Sequence, residues 1–447
     1  VSFSSAILAE QLKTLQQTAG SADRWVVAFS GGLDSTVLLH ALSLIAAGSD
    51  PSKGTPITAI HINHQLHADA SAWSAQCESI AKALGVEFLS IDVVIDAKAG
   101  NGLEAAAREA RYGALRGQIK TGDWLFSAHH RDDQAETLLL NLVRGSGPAG
   151  IAGIGAALAF GDAWLLRPLL NIDRTVLEDY ATMHELLWID DPSNTDRRFD
   201  RNFLRHEVMP GLRLRWPDIA TRLHRSASHA GEAAQLLSEL GRIDLDALGA
   251  DSRRLPIGGL VTLSNARQRN LIRFALRDQG LSMPSAVLLN RVLAEVMPAR
   301  EDAQPLVDWP GGAVRRYRDH LYLLTDQLTK RIEASAFLTN SLRLGPGLGS
   351  LHLERNAELG LSEASVKRGL RVVPRRGGEG FTPIGQGHTK KLKKLLQDEG
   401  VVPWMRDRLP LIYSGDDLVA VGDIWLSNSA ASRPGVAVRW IGRPALH

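Results

Sequence analysis

The sequence predicts a doubly wound parallel α/β domain, then a mainly helical middle domain and a small α+β C-terminal domain. Three observations carry that prediction. Up to about residue 145, short apolar runs alternate with longer helical patterns. A glycine-rich loop containing Gly145, Gly147, Gly150, Gly153 and Gly155 then ends the alternation. Past about residue 331, Gly and Pro rise and short β-type runs take over. The boundaries read from these changes are 1–215, 216–330 and 331–447. A chain of 447 residues is longer than one core usually serves, which agrees with several domains.

The strand-type runs are Trp25–Phe29, Ile57–Ile62, Phe88–Val94 and Trp124–Ser127. Between and after them, Thr36–Ala47, Ala72–Leu84, Leu103–Ile119 and Asp133–Val143 have helical patterns. The runs are apolar throughout rather than alternating, as strands buried on both faces are. Successive βα units imply a parallel sheet with helices on both sides. Such sheets bind ligands beyond the carboxyl ends of their strands, which places chemistry in the loops after residues 29, 62 and 127. Further on, 173–188 reads as a helix and Asp190-Asp191-Pro192-Ser193-Asn194 as a turn. Asn265–Gln279 and Ser285–Val296 read as helices, Pro310-Gly311-Gly312 as a hairpin turn, and Leu411–Tyr413 and Leu418–Val421 as strands.

Composition excludes several classes. Apolar residues at 44% and charged residues at 22% describe a globular chain rather than a disordered one. A single cysteine, Cys77, excludes an internal disulfide, a cysteine-built zinc site and paired-thiol chemistry. The longest apolar stretch, Thr36 to Ala47, is interrupted by His40 and Ser43 and is too short to span a bilayer. No secretion-type leader pattern opens the sequence, so a cytoplasmic protein without a membrane role is expected. The net charge of +2 is unevenly spread: 197–225 carries +5, 366–408 carries +7, and the remainder is −10. Two basic patches on an otherwise acidic chain suit a polyanion, although a solvated face on each domain would look the same.

The chemistry concentrates in Ser30-Gly31-Gly32-Leu33-Asp34-Ser35, between an apolar strand and a helix that begins near Asp34. Glycines here can take positive φ and bring backbone N–H groups close to an anion. Hydroxyls and a helix N-terminus add favourable interactions with phosphate. The segment lacks the lysine and the spacing of G-x-x-x-x-G-K-[ST], so it is a different kind of phosphate loop. Asp34 among phosphates implies a bridging divalent cation. A hydrolase triad would need a G-x-S-x-G elbow, which is absent. Three histidines, His61, His64 and His67, lack carboxylate or thiolate partners nearby in sequence, so lining a nucleotide pocket suits them better than holding zinc.

The hexapeptide resembles the loop of the N-type ATP-pyrophosphatases, the PP-loop family, with its Rossmann-like fold. Downstream, Gly102–Tyr112, His129-His130-Arg131-Asp132-Asp133-Gln134-Ala135-Glu136-Thr137, Arg144–Gly150, Asp191–Asn194 and Asp200-Arg201-Asn202-Phe203-Leu204-Arg205 resemble the tRNA(Ile)-lysidine synthases. Lys390–Leu396 and Val402–Pro410 are similar to that family's C-terminal domain. The resemblance implies that ATP, with Mg²⁺, adenylates the C2 carbonyl oxygen of the wobble cytidine of tRNA(Ile) bearing a CAU anticodon. Free L-lysine then displaces AMP. It implies ATP contacts from Ser30, Gly31, Gly32, Leu33, Asp34, Ser35 and Arg108, and catalytic roles for Asp34, Arg111, His130 and Asp133.

Within that frame Asp34 and Asp133 are candidates both for Mg²⁺ and for the base that deprotonates lysine. Alone, His130-x-x-Asp133 reads better as helix capping by Asp132 or Asp133; beside the Ser30–Ser35 loop, function outweighs it. Arg108 and Arg111 share a helix face and can reach an α-phosphate, with pairing to Glu104 an equal alternative for Arg108. Arg201 and Arg205, four apart, are expected to face RNA, the alternative being pairing with Asp190, Asp191 or Asp200. Lys390, Lys391 and Lys394 are expected to grip the tRNA backbone from a helix seamed by Leu392, Leu395 and Leu396. Trp404 and Phe381 are candidates for base stacking, with core packing favoured. The lone Cys77 disfavours thio-transfer. The competing activity is an amide-forming synthetase of the same ATP-cleaving type acting on a small molecule, and a homodimer is left open.

Overall fold

The computed structural model describes residues 2–48, 55–65, 69–94, 103–300, 303–325, 332, 335–345, 347–444 and 446. His67 and Gly102 lie outside them, as does the Glu104 side chain. Two compact units divide the chain, Val1–Leu236 and Leu237–His447.

In the first unit, helix α1 (Ser5–Ala19) leads into alternating strands and helices: β1 (Arg24–Ala28), α2 (Leu33–Gly48), β2 (Ile57–Asn63), α3 (Ala70–Ala83), β3 (Glu87–Asp92), α4 (Leu103–Arg116), β4 (Asp123–Phe126) and α5 (Arg131–Val143). A short α6 (Pro148–Ile151) precedes the hairpin β5 (Ala157–Phe160) and β6 (Ala163–Leu166), then α7 (Arg174–Met183). The six strands run in the order β3-β2-β1-β4-β6-β5. All neighbours are parallel except β5, which returns antiparallel to β6. Helix α2 packs its Val37, Leu38, Leu39, Ala41 and Leu42 into one core, while Val26, Ile60, Leu125 and Leu165 face a second cluster with Leu115. Strand order reverses between β1 and β4, so the loops after these two strands open at one crevice.

The apolar run over Phe88–Val94 was expected to be buried on both faces. Instead β3 is the sheet edge, and of its six residues only Phe88 and Ile91 are partly buried. An edge strand has a partner on one side alone, and burial falls with it.

A short α8 (Asp200–Phe203), a π-turn over Leu204–Val208 and α9 (Met209–Arg215) form an almost continuous helix, followed by the long α10 (Ile219–Ala247). The second unit begins within α10. Its helices α11 (Ile257–Leu260), α12 (Asn265–Asp278) and α13 (Ala286–Arg291) share a core with a four-stranded antiparallel sheet. That sheet contains β7 (Arg254–Pro256), β8 (Leu306–Trp309), β9 (Gly312–Tyr317) and β10 (His320–Leu324). Of this sheet the sequence indicated only the turn at Pro310–Gly312. A second cluster, drawn from residues between Tyr322 and Leu446, fills the remainder of the unit. In this second cluster Trp404 meets Tyr317 and Tyr322 edge to face, with the Arg315 guanidinium 5.6 Å from the Trp404 ring.

Here the structure corrects the reading of the lysine cluster. Lys390 and Lys391 form a short strand paired with Gly380 and Phe381, and the helix starts only at Leu392. The three leucines are buried as expected, and Lys391, Lys393 and Lys394 are exposed. The cluster is therefore a strand-to-helix corner rather than one helix. Phe381 is a core residue at 2% exposure, which removes it from base stacking.

Candidate active site

The loop between β1 and α2 is shaped by Gly31, whose φ of +81° only glycine adopts cheaply. A Cβ there would lie 2.5 Å from Cys77 Sγ and 2.7 Å from Ile189 Cδ1. Cys77 is thus buried packing against the loop, and its thiol is pushed up to about 12 by burial. Ile189 N–H donates to the Gly31 carbonyl at 2.9 Å, tying the loop to the segment after α7. Within the loop, the Ser30 and Ser35 hydroxyls are 3.0 Å apart, and Ser35 donates to the Gly32 carbonyl at 2.9 Å. The first N–H groups of α2 have no carbonyl one turn back, so Leu33, Asp34 and Ser35 present them at the helix start.

Across the crevice, α5 begins at Arg131 with His130 as its N-cap. His130 N–H donates to Asp133 Oδ2 at 3.0 Å, and the His130 ring Nε2 lies 3.4 Å from the same oxygen and 3.5 Å from Asp34 Oδ2. Burial works against a charge on His130, but Asp133, Asp34 and Asp132 outweigh it and raise its pKa. The His130 ring is held between two carboxylates. His129 behaves oppositely: burial above all pulls its pKa down to about 3, and its Nδ1 lies 2.6 Å from Ser127 Oγ.

Asp133 and Glu136 sit one turn apart on α5 and are clamped by two arginines. Arg201 Nη2 and Arg205 Nη2 each approach Asp133 Oδ1 at 3.1 Å. Arg201 Nε and Arg205 Nε donate to Glu136 at 2.8 and 2.7 Å. Both carboxylates are buried. Burial would raise the Asp133 carboxyl, but His130, Arg201, His129 and Arg205 hold it far below the usual carboxylate range. This overturns two expectations. Arg201 and Arg205 point inward to carboxylates rather than outward to RNA, and their partners are Asp133 and Glu136, not Asp190, Asp191 or Asp200. The Asp133 carboxylate has each oxygen facing two donors, which leaves it no acceptor position for a metal ion and makes it a poor base.

Asp34 is different. Its Oδ1 is buried and has no hydrogen-bond partner, so an unengaged acceptor faces the loop where a triphosphate would lie. That orphan oxygen fits a divalent cation whose other ligands are phosphate oxygens and water. His61 Nδ1 donates to the Phe29 carbonyl at 3.0 Å and lies 3.6 Å from Cys77 Sγ, so it braces the strand end.

Arg108 and Arg111 flank Tyr112 on α4, their guanidinium carbons 5.0 and 5.8 Å from its ring centre. Arg108 is exposed and Arg111 half-buried. Burial above all lowers the pKa values of His129 and His64, and the Arg108 charge adds to the first and the Arg111 charge to the second.

Three site residues were missed. Glu136 lacks a sequence signal beyond its one-turn spacing from Asp133. Asp132, read only as a cap, accepts from Arg174 N–H at 3.1 Å and from Arg213, joining α5 to α7 and α9. Arg167 follows the buried strand β6 at 5% exposure, donates to the Gly155 carbonyl at 2.6 Å, and leaves Nε without a partner. A charged residue directly after Ala163–Leu166 was the available clue.

A Ser-Gly-Gly loop at a parallel-sheet switch point, with an aspartate among its phosphate-facing groups, defines a PP-loop nucleotide-binding domain. The PP-loop domain family matches residues 5–212, and two further families match the second unit: the TilS substrate binding domain over 255–322 and the TilS substrate C-terminal domain over 370–440. Relatives extend across nearly the whole chain. The tRNA(Ile)-lysidine synthase of Alkalilimnicola ehrlichii is 41% identical over 93% of this chain and 93% of its own. Those of Pectobacterium atrosepticum (42% identity, 92% of both chains) and Coxiella burnetii (37%, 92% of this chain and 91% of its own) are similarly close. The chain belongs to the tRNA(Ile)-lysidine synthase family.

Proposed function

We propose that this protein is an ATP-dependent ligase that converts the wobble cytidine of tRNA(Ile) with a CAU anticodon to lysidine. Free L-lysine is the amine, and AMP and pyrophosphate are released in a cytoplasmic reaction. The observation that carries the reading at the level of chemistry is the Asp34 carboxylate of the Ser30–Ser35 loop, whose Oδ1 is buried without a partner while its Oδ2 lies 3.5 Å from His130 Nε2.

The N–H groups at the start of α2 and the Ser30 and Ser35 hydroxyls bind the triphosphate. Magnesium held by Asp34 would neutralise phosphate charge there. In the first step the cytidine C2 oxygen attacks the α-phosphorus and the bond to the β-phosphate oxygen breaks, expelling pyrophosphate. An amide-type oxygen is a poor leaving group, and esterification to AMP makes it a good one. In the second step the lysine ε-nitrogen attacks C2, the C2–O bond breaks with its electrons leaving on AMP, and the amine loses its protons. His130, whose pKa Asp133, Asp34 and Asp132 raise against burial, and Arg108 and Arg111 on α4 stabilise the negative charge that develops at the α-phosphate. Asp133 acts through His130, as a positioning group. Of the two carboxylates only Asp34 has an unengaged oxygen, so after pyrophosphate departs it is the one suited to take the amine proton. Lys390, Lys391 and Lys394 supply contacts to the tRNA backbone, which read no base.

Omitting substrates one at a time tests this reading. Pyrophosphate release should need ATP and the tRNA, and free AMP should additionally need lysine. Pyrophosphate release that is independent of tRNA would overturn it in favour of a small-molecule synthetase.

A further inference from the structure

In the segment 197–225, Arg197, Arg198, Arg201, Arg205, Arg213 and Arg222 all have an acidic partner. Helix α12 departs from that habit. Its apolar face, with Leu271, Ile272, Phe274, Ala275 and Leu276, is buried in the core of the middle region. Arg269, Arg273 and Arg277 follow one another at intervals of four on the opposite side, about 6 Å apart along the axis. Arg273 and Arg277 are exposed and Arg269 is half-buried. Among the described residues none of the three is in an ion pair. By contrast Arg267, on the flank of the same helix, is paired with buried Asp244 of α10.

The ladder is electrostatically unfavourable in the free protein. Burial and then the Arg269 and Arg277 charges together lower the Arg273 pKa. Like charges at i,i+4 destabilise a helix by a few tenths of a kcal/mol per pair. A polyanion with regularly spaced charges relieves that repulsion along the whole row, whereas a single small anion would relieve one step of it. The spacing has no aromatic residue interleaved on the face, so it offers backbone contact and no stacking platform.

We propose that the Arg269–Arg273–Arg277 ladder of α12 is a phosphate-backbone contact for the tRNA, made outside the reaction centre and independent of base sequence. The inference rests on the reading that the substrate is a tRNA, and it assigns part of that recognition to one helix face.

The test is the salt dependence of binding, measured with the full chain and an unmodified tRNA(Ile) transcript. Replacing all three arginines by glutamine should reduce the slope of log K against log salt by about two to three units, at about 0.9 per lost contact with duplex. At roughly 0.15 M salt the affinity should fall on the order of 100-fold. The melting temperature should hold or rise, because repulsion is removed. Three lysines in place of the arginines should keep most of the slope, since a point charge suffices for phosphate. Arg291→Gln, which breaks an exposed pair with Glu295, should leave the slope unchanged. An unchanged slope and affinity in the folded glutamine variant overturns the ladder assignment alone. A wild-type chain that fails to bind the transcript overturns the reading beneath it.

Discussion

At the scale of single residues, the site works by giving neighbouring groups opposite tasks. His129 and His130 are adjacent in sequence, yet one is pulled down to about 3 by burial and the other is raised by carboxylates. Imidazole nitrogen shifts read by NMR should therefore show His129 neutral throughout the neutral range while His130 stays protonated above its ordinary value of about 6.5. The sign of the stability effect follows. The folded chain holds the His130 proton more tightly than the unfolded chain, so this contribution is complete below about pH 6.5 and is lost as pH rises through the folded pKa. The first unit should melt lower at about pH 9 than at about pH 6, by a margin that shrinks in His130→Gln. Asp34 and Asp133 are likewise alike in sequence and unlike in structure. Asp34→Asn should abolish pyrophosphate release at saturating Mg²⁺ and leave tRNA binding intact; near-normal release would remove Asp34 from the site. The loop and its aspartate were legible in the sequence because glycine, hydroxyl and carboxylate types in six residues allow few uses. The neutralisation of Asp133 was not, because Arg201 and Arg205 lie 68 and 72 positions away.

At the scale of elements, α5 and the helical run from α8 to α9 are joined by buried charge. Replacing both Arg201 and Arg205 by alanine would strand Glu136 without a cation and leave Asp133 with His130 alone, and breaking a buried pair from one side costs about 3–5 kcal/mol. Denaturant unfolding should register that loss while the salt slope for tRNA stays unchanged, the reverse of the outcome expected for two RNA-facing arginines. The β1–α2 loop depends on backbone shape. Gly31→Ala should destabilise the first unit by about 1–2 kcal/mol from its left-handed backbone alone, with further loss from the contact with Cys77 and Ile189. Gly32→Ala, whose Cβ would meet nothing nearer than 3.5 Å, should be milder in stability. Strands and helices of the first unit could be read from periodicity because β1, β2 and β4 are sandwiched by helices. The sheet of the middle region could not, because its strands are only three to six residues long and β7 pairs with β10 from 64 to 68 positions away.

At the scale of the molecule, nucleotide chemistry and the bulk of the unneutralised basic surface fall in different units. The charge reading of the sequence found two basic segments, and the structure separates them in kind. The first is largely consumed by intramolecular pairs, whereas exposed Lys391, Lys393 and Lys394 of the second have no ion pair among the described residues. Composition counts charges without their partners, so this distinction lies beyond it. Neutralising Lys390, Lys391, Lys393 and Lys394 together should raise KM for full tRNA on the order of 100-fold or more, at about 0.9 of salt slope per lost contact. Activity on a minimal anticodon stem-loop should change much less, and equal loss on both would place the corner at the reaction centre. The central claim concerns the product. Nucleosides digested from tRNA(Ile) after incubation with the protein, ATP and isotopically labelled lysine should contain a cytidine heavier by one lysine less one water, carrying the label and mapping to the wobble position. Unmodified wobble cytidine, with ATP nevertheless cleaved to AMP and pyrophosphate, would contradict it.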